Sequence, residues 1–336
     1  MLNEKVLYLL DSGTAAQAGS TGEDIYNAYT GDGGLHGLSR QDYSDYHSYS
    51  EAKREIENGQ FFTPPDLCQL VAEALKPSQF DLVADLTCGK GSFFNFFPVE
   101  SNLYGCEIDA KACKVARYLF PAANITPGDI RTYKPGLRFD YVVGNPPFNL
   151  RWWSEDGAEV LSQLYYCRKA AELLKPLGIL ALIVPRSFLT DDFLDKKMIR
   201  EMEQCFDFLG QVGLPDSAFV SLGVASFATK LQFWQKKSLT AERKAHRYTP
   251  HLAKTLPAHF DPAAEARLIQ EQMLLLPKAD LEKNKSRVLL ELAKEHAASR
   301  DFAYQTQKLL YQIKAHPATR ARYAKCCEYL HRFYTQ

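Results

Sequence analysis

The sequence predicts an α/β fold: a doubly wound, mostly parallel sheet with helices on both faces, an antiparallel last strand and a C-terminal helical bundle. Three observations carry this. Between residues 59 and 237 short apolar runs alternate with amphipathic stretches, the pattern of repeated β-α units. The last two apolar runs are joined by about ten residues without a helix, so the final strand runs against the others. From residue 238 onward the apolar residues recur only at helical spacing.

Residues 1–58 are rich in Tyr, Ser, Gly and Asp and hold no sustained period of 2 or 3.6, which predicts irregular chain with short helical pieces. "GDGG" at Gly31–Gly34 reads as a flexible turn. In residues 59–237 the first helix is "LCQLVAEAL" (Leu67–Leu75), started by Pro65 and Asp66. "FDLVADL" is a strand, followed by a glycine turn and a short aromatic helix. "NLYGCEI" is a strand, "AKACKVARYLF" a helix, and "ANIT" a short strand ended by Pro127 and Gly128. "FDYVVGN" is the fourth strand. "GAEVLSQLYYCRKAAELL" (Gly157–Leu174) reads as one long amphipathic helix, "GILALIVP" as a buried strand and "KKMIREMEQCF" as a helix. "DFLGQVGL" and "VASFATKLQFWQ" close the region as two strands. In residues 238–336, Leu281, Val288, Leu289, Leu292 and His296 lie at helical spacing, punctuated by Pro262, Pro277 and Pro317, and predict three or four helices.

Composition bounds the class. The 336 residues are 46% hydrophobic, enough for a large core. No run approaches the roughly 18 apolar residues of a membrane span, and the acidic residues beside a short apolar run at the N-terminus make a poor signal peptide. The eight cysteines include no C-x-x-C pair, and His246, His251 and His259 match no standard zinc spacing. The expectation is a cytoplasmic protein with reduced thiols, no metal and no membrane partner. A net charge of zero hides an asymmetry. Residues 1–58 carry 4 Lys/Arg against 10 Asp/Glu (−6), and residues 59–236 carry 18 against 20 (−2). Residues 237–336 carry 18 against 10 (+8). A cationic last third suits a polyanion partner and equally suits a set of solvated helices.

In a doubly wound sheet, ligands bind beyond the carboxyl ends of the strands. Here the four strand exits each carry a chemical group. After the first comes "DLTCGKGS" (Asp85–Ser92), a glycine turn that lets backbone approach a ligand. After the second comes "CEID" with Glu107 and Asp109, an acidic pair about 20 residues past the glycine turn, suited to ribose hydroxyls. After the third comes "GDI" with Asp129, and after the fourth "NPPF". Each signal alone is weak; in order, at successive strand exits, they imply a nucleoside cofactor. Phe94 stands where a third glycine of G-x-G-x-x-G belongs, which disfavours a dinucleotide.

The ordered set "FFTPP", "DLTCGKG", "EID", "GDI" and "NPPF" resembles the gamma class of N6-adenine DNA methyltransferases, enzymes of restriction–modification systems that use S-adenosylmethionine. The resemblance covers about Gln60 to Lys236. It implies a seven-stranded, Rossmann-like class I methyltransferase sheet and methylation of the exocyclic amine of a flipped adenine in DNA. It further implies that Phe62, Thr63 and Pro64 line the methionine end of the cofactor. Asp85, Cys88, Gly89 and Gly91 match its glycine loop. Glu107 would hold the ribose, with Ile108 against the cofactor's adenine, and Asp129 would accept from that adenine's amine beside Ile130. Phe219, in "SAFVSLGVAS", matches an aromatic that faces the flipped base opposite Phe148.

The chemistry of "NPPF" stands without the name. An adenine amine is a poor nucleophile because its lone pair is delocalised into the ring. The Asn145 side-chain oxygen and the Pro146 carbonyl would accept its two hydrogens and draw the nitrogen toward tetrahedral geometry. Pro146 and Pro147 add no competing N–H and hold the loop rigid. Phe148 offers a stacking face worth about 1–3 kcal/mol to a base that has left the duplex. Leu86 replaces a common proline and Phe148 a commoner tyrosine. About 100 residues follow Lys236 where the family usually carries a recognition domain, so recognition is expected from the basic last third, from a specificity or restriction subunit, or from a region outside this sequence. Two other readings stay open: methylation of an RNA base (N6-adenine or N2-guanine) or of a protein glutamine, and a non-catalytic nucleic-acid-binding subunit of the same fold. The intact "NPPF" loop weighs against the last.

Overall fold

The computed structural model describes residues 3–31, 44–48, 61–154, 157–190, 193–220, 227–237 and 248–274. The expected bundle positions from Leu281 to His296 lie outside the described residues. Two short helices, α1 (Asn3–Asp11) and α2 (Gly22–Ala28), come first. Helix α2 starts at a reciprocal cap, in which Thr21 accepts from the Asp24 backbone while the Asp24 carboxylate accepts from that of Thr21. Helix α3 (Pro65–Leu75) follows, its opening prolines costing no helical hydrogen bond at that position.

Seven strands then form one sheet: β1 (Val83–Asp85), β2 (Leu103–Glu107), β3 (Asn124–Pro127), β4 (Phe139–Gly144), β7 (Leu174–Pro185), β8 (Phe206–Gly213) and β9 (Thr229–Lys236). Their order is β3-β2-β1-β4-β7-β9-β8. The pairs among the first five are parallel, and β9 runs antiparallel between β7 and β8. The connecting helices are α4 (Ala110–Leu119), α5 (Ser162–Leu173) and α6 (Phe193–Cys205), and α7 (Pro262–Leu274) follows the sheet. Every residue of β7 is buried, as expected of an inner strand covered on both faces.

The two-residue period of the strands divides the core. Val83, Tyr141, Val143, Ala181 and Ile183 face α3 and the α7 residues Ala266, Ile269 and Met273. Ala84, Val142, Leu180 and Leu182 face Leu164, Tyr166 and Ala170 of α5 and Met202 of α6. Past residue 237 the chain still shares this core. The Tyr248 ring stacks on Trp234 at 5.2 Å, and Gln270 of α7 donates to the Glu73 carbonyl, 2.6 Å, at the end of α3.

Two local expectations are corrected. The helix expected over Gly157–Leu174 begins only at Ser162. Glu159–Leu161 is instead a strand, β6, paired antiparallel with β5 (Arg151–Trp153), so that Val160 lies opposite Trp152. Val160 alternates as a buried residue between an exposed Glu159 and a half-buried Leu161, a period that three residues are too few to display. The strand expected from Phe80 shortens to Val83, because the Asp81 carboxylate accepts from the Ser78 N–H and folds a turn there.

The chain winds from β1 outward to β3, then crosses to β4 and winds the other way. Strand order therefore reverses between β1 and β4, and a crevice opens beyond their carboxyl ends.

Candidate active site

A cavity of ≈ 480 Å³ occupies that crevice and is lined from all four strand exits and from the segment before α3. Every residue expected in the site lines it except Pro64, Gly91 and Phe219. Pro64 caps α3, accepting from the Leu67 and Cys68 N–H groups. Gly91 begins the short 3-10 turn Ser92–Phe96 behind the loop.

The glycine loop is tied to β2 through a carboxylate. Glu107 Oε2 accepts from the Gly89 N–H at 2.7 Å, and Oε1 accepts from the Asp109 N–H at 2.8 Å. Gly89 has φ +56°, and a Cβ there would lie 2.7 Å from the Phe62 ring, so only glycine lets "FFTPP" and the loop approach. Behind the loop the Lys90 ammonium donates to the Tyr26 and Tyr29 carbonyls (2.5 and 2.7 Å) and lies over the Tyr26 and Phe62 rings. The N-terminal helices are thereby fastened to the cavity wall. Burial lowers the Lys90 pKa to about 8.

Electrostatically the cavity is anionic. Asp85 is 3% exposed, and burial raises its pKa to about 7; the Thr87 N–H opposes that shift and the nearby Glu107 adds to it. Burial also raises Glu107, against the pull of the Asp109 and Gly89 N–H groups. Asp129 sits lower than an ordinary carboxylate because Arg131 grips it: the Arg131 backbone N–H donates to Oδ1 and its Nε to Oδ2, both at 2.8 Å. Arg131 itself, with no signal in the sequence to mark it, lines the cavity.

The loop after β4 is stitched down at several points. Asn145 Nδ2 donates to the Phe61 carbonyl at 3.2 Å, while Asn145 Oδ1 is buried without a partner. Thr87 Oγ1, also at the cavity, is likewise buried and unpartnered. Ser162 Oγ at the start of α5 donates to the Pro147 carbonyl at 2.6 Å. Trp152 lines the cavity and meets Tyr165 edge-on at 5.7 Å, whereas Trp153 is 65% exposed. Phe219, expected to face Phe148, meets it edge-on (86°, 6.4 Å) and is buried. The ring lying parallel to Phe148 is Phe227, at 5.3 Å and 5°. Its position before β9 gave no sequence cue.

Among the described residues no helix is long and apolar enough to cross a membrane, and no group of His, Cys, Asp or Glu is arranged to hold a metal ion.

The chain is similar in fold and in sequence to known proteins. A putative class I S-adenosylmethionine-dependent methyltransferase from Listeria monocytogenes superposes with a TM-score of 0.50 at 15% identity, over 81% of this chain and 98% of that one, and shares the fold. The modification subunit of a putative type I restriction enzyme from Vibrio vulnificus YJ016 gives 0.47 at 18% identity, over 65% of this chain and 50% of that one. In sequence the chain is 28% identical over 159 residues to the Type II methyltransferase M.CvrRI of Paramecium bursaria Chlorella virus XZ-6E, covering 44% of this chain. It spans about two fifths, 42%, of that relative. The N-6 DNA Methylase family matches residues 46–240, more than half of the sequence. On that match, the chain belongs to the N-6 DNA methylase family.

Proposed function

We propose that this protein transfers a methyl group from S-adenosylmethionine to the N6 amine of an adenine flipped out of DNA. The observation that carries the reading is Asn145. Its amide nitrogen is spent on the Phe61 carbonyl, which leaves Oδ1, buried and unpartnered on a residue that lines the cavity, as the acceptor of the side chain. An unsatisfied buried acceptor costs about 1–3 kcal/mol, and an amine donor at that point would relieve it.

The residues present fit the cofactor. Glu107, Asp109 and Asp129 supply negative charge around a ligand that is cationic at its sulfonium and ammonium groups, and Asp85 adds to it once it ionises above about pH 7. Thr87 Oγ1 is a further acceptor or donor without a partner. Bound there, S-adenosylmethionine supplies an activated methyl group, and no metal is needed. Phe62 and Thr63 would wall the methionine end, with Pro64 fixing the turn that carries them. Glu107 would accept from the ribose hydroxyls, with Ile108 against the adenine. Asp129 would accept the adenine amine through Oδ1, which Arg131 leaves with one lone pair. The Asn145 oxygen and the Pro146 carbonyl would take the two hydrogens of the target amine, and Phe148 would stack on the base. The cationic last third, +8 over residues 237–336, is assigned to phosphates of the DNA or to docking of a specificity or restriction subunit.

Labelled methyl transfer to unmethylated duplex DNA, RNA and protein tests the reading. Label on adenine N6 of DNA is expected; label only on RNA or protein overturns it. Asn145→Ala is expected to abolish transfer while cofactor affinity stays within about twofold, because the lost oxygen faces the amine. An unchanged rate refutes the role given to that side chain.

A further inference from the structure

Tyr166 lies in α5, outside every motif of the sequence, and is fully buried. Its hydroxyl stands between β1 and β4 where the two strands part. The Leu86 N–H donates to it at 3.0 Å, and it donates to the Val143 carbonyl at 2.5 Å. Asp85 Oδ1 is 3.4 Å away.

The pairing register explains what the hydroxyl replaces. The strands pair Val83 with Tyr141 and Asp85 with Val143, and the Tyr141 N–H donates to the Leu82 carbonyl. Bonds of a parallel ladder alternate in direction and advance two residues on each strand. Carried forward, that alternation sets the Leu86 N–H opposite the Val143 carbonyl. The Tyr166 oxygen sits inside that next bond, receiving from one side and donating to the other. The strands are therefore held apart by one oxygen atom at the switch point where the cavity begins.

Gly144 belongs to the same arrangement. A Cβ on it would lie 2.2 Å from the Tyr166 oxygen and 2.5 Å from Cζ. The glycine before "NPPF" is the space into which the tyrosine is inserted. The two residues that flank the wedge are those that open the two halves of the site: Leu86 leads into Thr87 and Gly89, and Gly144 leads into Asn145.

We propose that Tyr166 is a positioning residue for methyl transfer: its hydroxyl, inserted in the β1–β4 ladder, fixes the separation between the cofactor loop and the Asn145 loop. The proposal rests on the methyltransferase reading above. Without the hydroxyl, the Leu86 N–H and the Val143 carbonyl either close on one another or stay unpaired, and both outcomes displace the loops relative to each other. A displacement on the order of 1 Å in a reacting pair lowers a rate by up to about 100-fold. Binding of either ligand alone does not require the exact distance between these two loops and is affected far less.

Tyr166→Phe keeps the ring, and with it the packing of α5 against the sheet. In the full-length protein, kcat is expected to fall at least about 10-fold, with S-adenosylmethionine affinity and the KM for DNA within about threefold of wild type. Hydrogen exchange of the Leu86 amide is expected to change by about 10-fold or more, with β7 and β9 unaffected. A role confined to stability would lower the melting temperature and leave kcat of the folded enzyme, measured well below it, unchanged. That result overturns the proposal, as does an unaltered Leu86 exchange rate. If the wild-type protein methylates no adenine in DNA, the functional reading fails by itself, and the exchange measurement still decides whether Tyr166 holds the two strands.

Discussion

Replacing Asp85 by asparagine should remove a pH dependence of folding that this one carboxyl group creates. Asp85 ends β1, is 3% exposed and has its pKa raised from 3.8 to about 7, chiefly by loss of water. Above pH 4 the unfolded chain releases this proton while the folded protein keeps it up to about pH 7. The stability tied to the protonated form is therefore whole below the unfolded pKa and lost as pH rises through the folded one. Three units at 1.36 kcal/mol each place the full effect on the order of 4 kcal/mol. Of this, about 2–3 kcal/mol falls between pH 5 and pH 8. Asparagine keeps the shape and has no charge to bury. Urea unfolding of wild type and Asp85→Asn without cofactor, at steps from pH 5 to pH 8, should show the variant gaining on the wild type by about that amount. Titrating groups that do not interact with Asp85 are common to both proteins and cancel in the difference, while its coupling to Glu107 is part of the effect. A gap constant to within about 0.5 kcal/mol, the scale of an ordinary surface substitution, would refute the claim that Asp85 is held protonated by burial.

Gly89→Ala sets a side chain at φ +56° and 2.7 Å from a Phe62 ring packed against Tyr29; strain of about 1–2 kcal/mol and overpacking of about 1–3 kcal/mol should lower the melting temperature. Calorimetric titration with S-adenosylmethionine should show weaker binding, and an unshifted affinity would count against the loop's place in the site. Lys90→Met keeps the stem and removes two charge-assisted hydrogen bonds to the Tyr26 and Tyr29 carbonyls, worth about 1.5–3 kcal/mol each. Hydrogen exchange in residues 3–31 should accelerate by about 10-fold or more while β7 and β9 stay protected, and uniform protection would show that the anchor is not needed.

The sheet was legible because its signals are local. "GILALIVP" is apolar throughout, and each strand exit ends in a residue type with a chemical reason to be there. What escaped depends on contacts between distant segments. Glu159–Leu161 reads as helix because nothing nearby announces that Trp152 and Trp153 will pair with it. The Phe61 carbonyl became a site component only when the fold brought it 84 residues along the chain to Asn145. Tyr166 sits on the apolar stripe of an amphipathic helix, where an aromatic is ordinarily core, and its hydroxyl acquires meaning only from the gap between two strands. Arg131 and Phe227 carry no motif at all. Residue type at a strand end thus identified the kind of chemistry, and the partners that aim those residues came from tertiary packing.

The place of β9 has a consequence for the order in which the protein can be made. Strand β7 pairs with β9 along Ile179–Pro185, and β9 in turn pairs with β8 along most of its length. A nascent chain ending between β7 and β9 therefore carries a finished β1–β4 half and an unclosed apolar edge on β7. Strand β8 cannot cover that edge, because the slot beside β7 belongs to a segment not yet synthesised. Until residue 236 has left the ribosome, the β7 edge that β9 covers, Ile179–Pro185, is open to pairing with other chains. Shortened versions ending before β9 should accumulate as aggregates, and soluble expression should first appear once β9 and the α7 residues that cover the same core are complete.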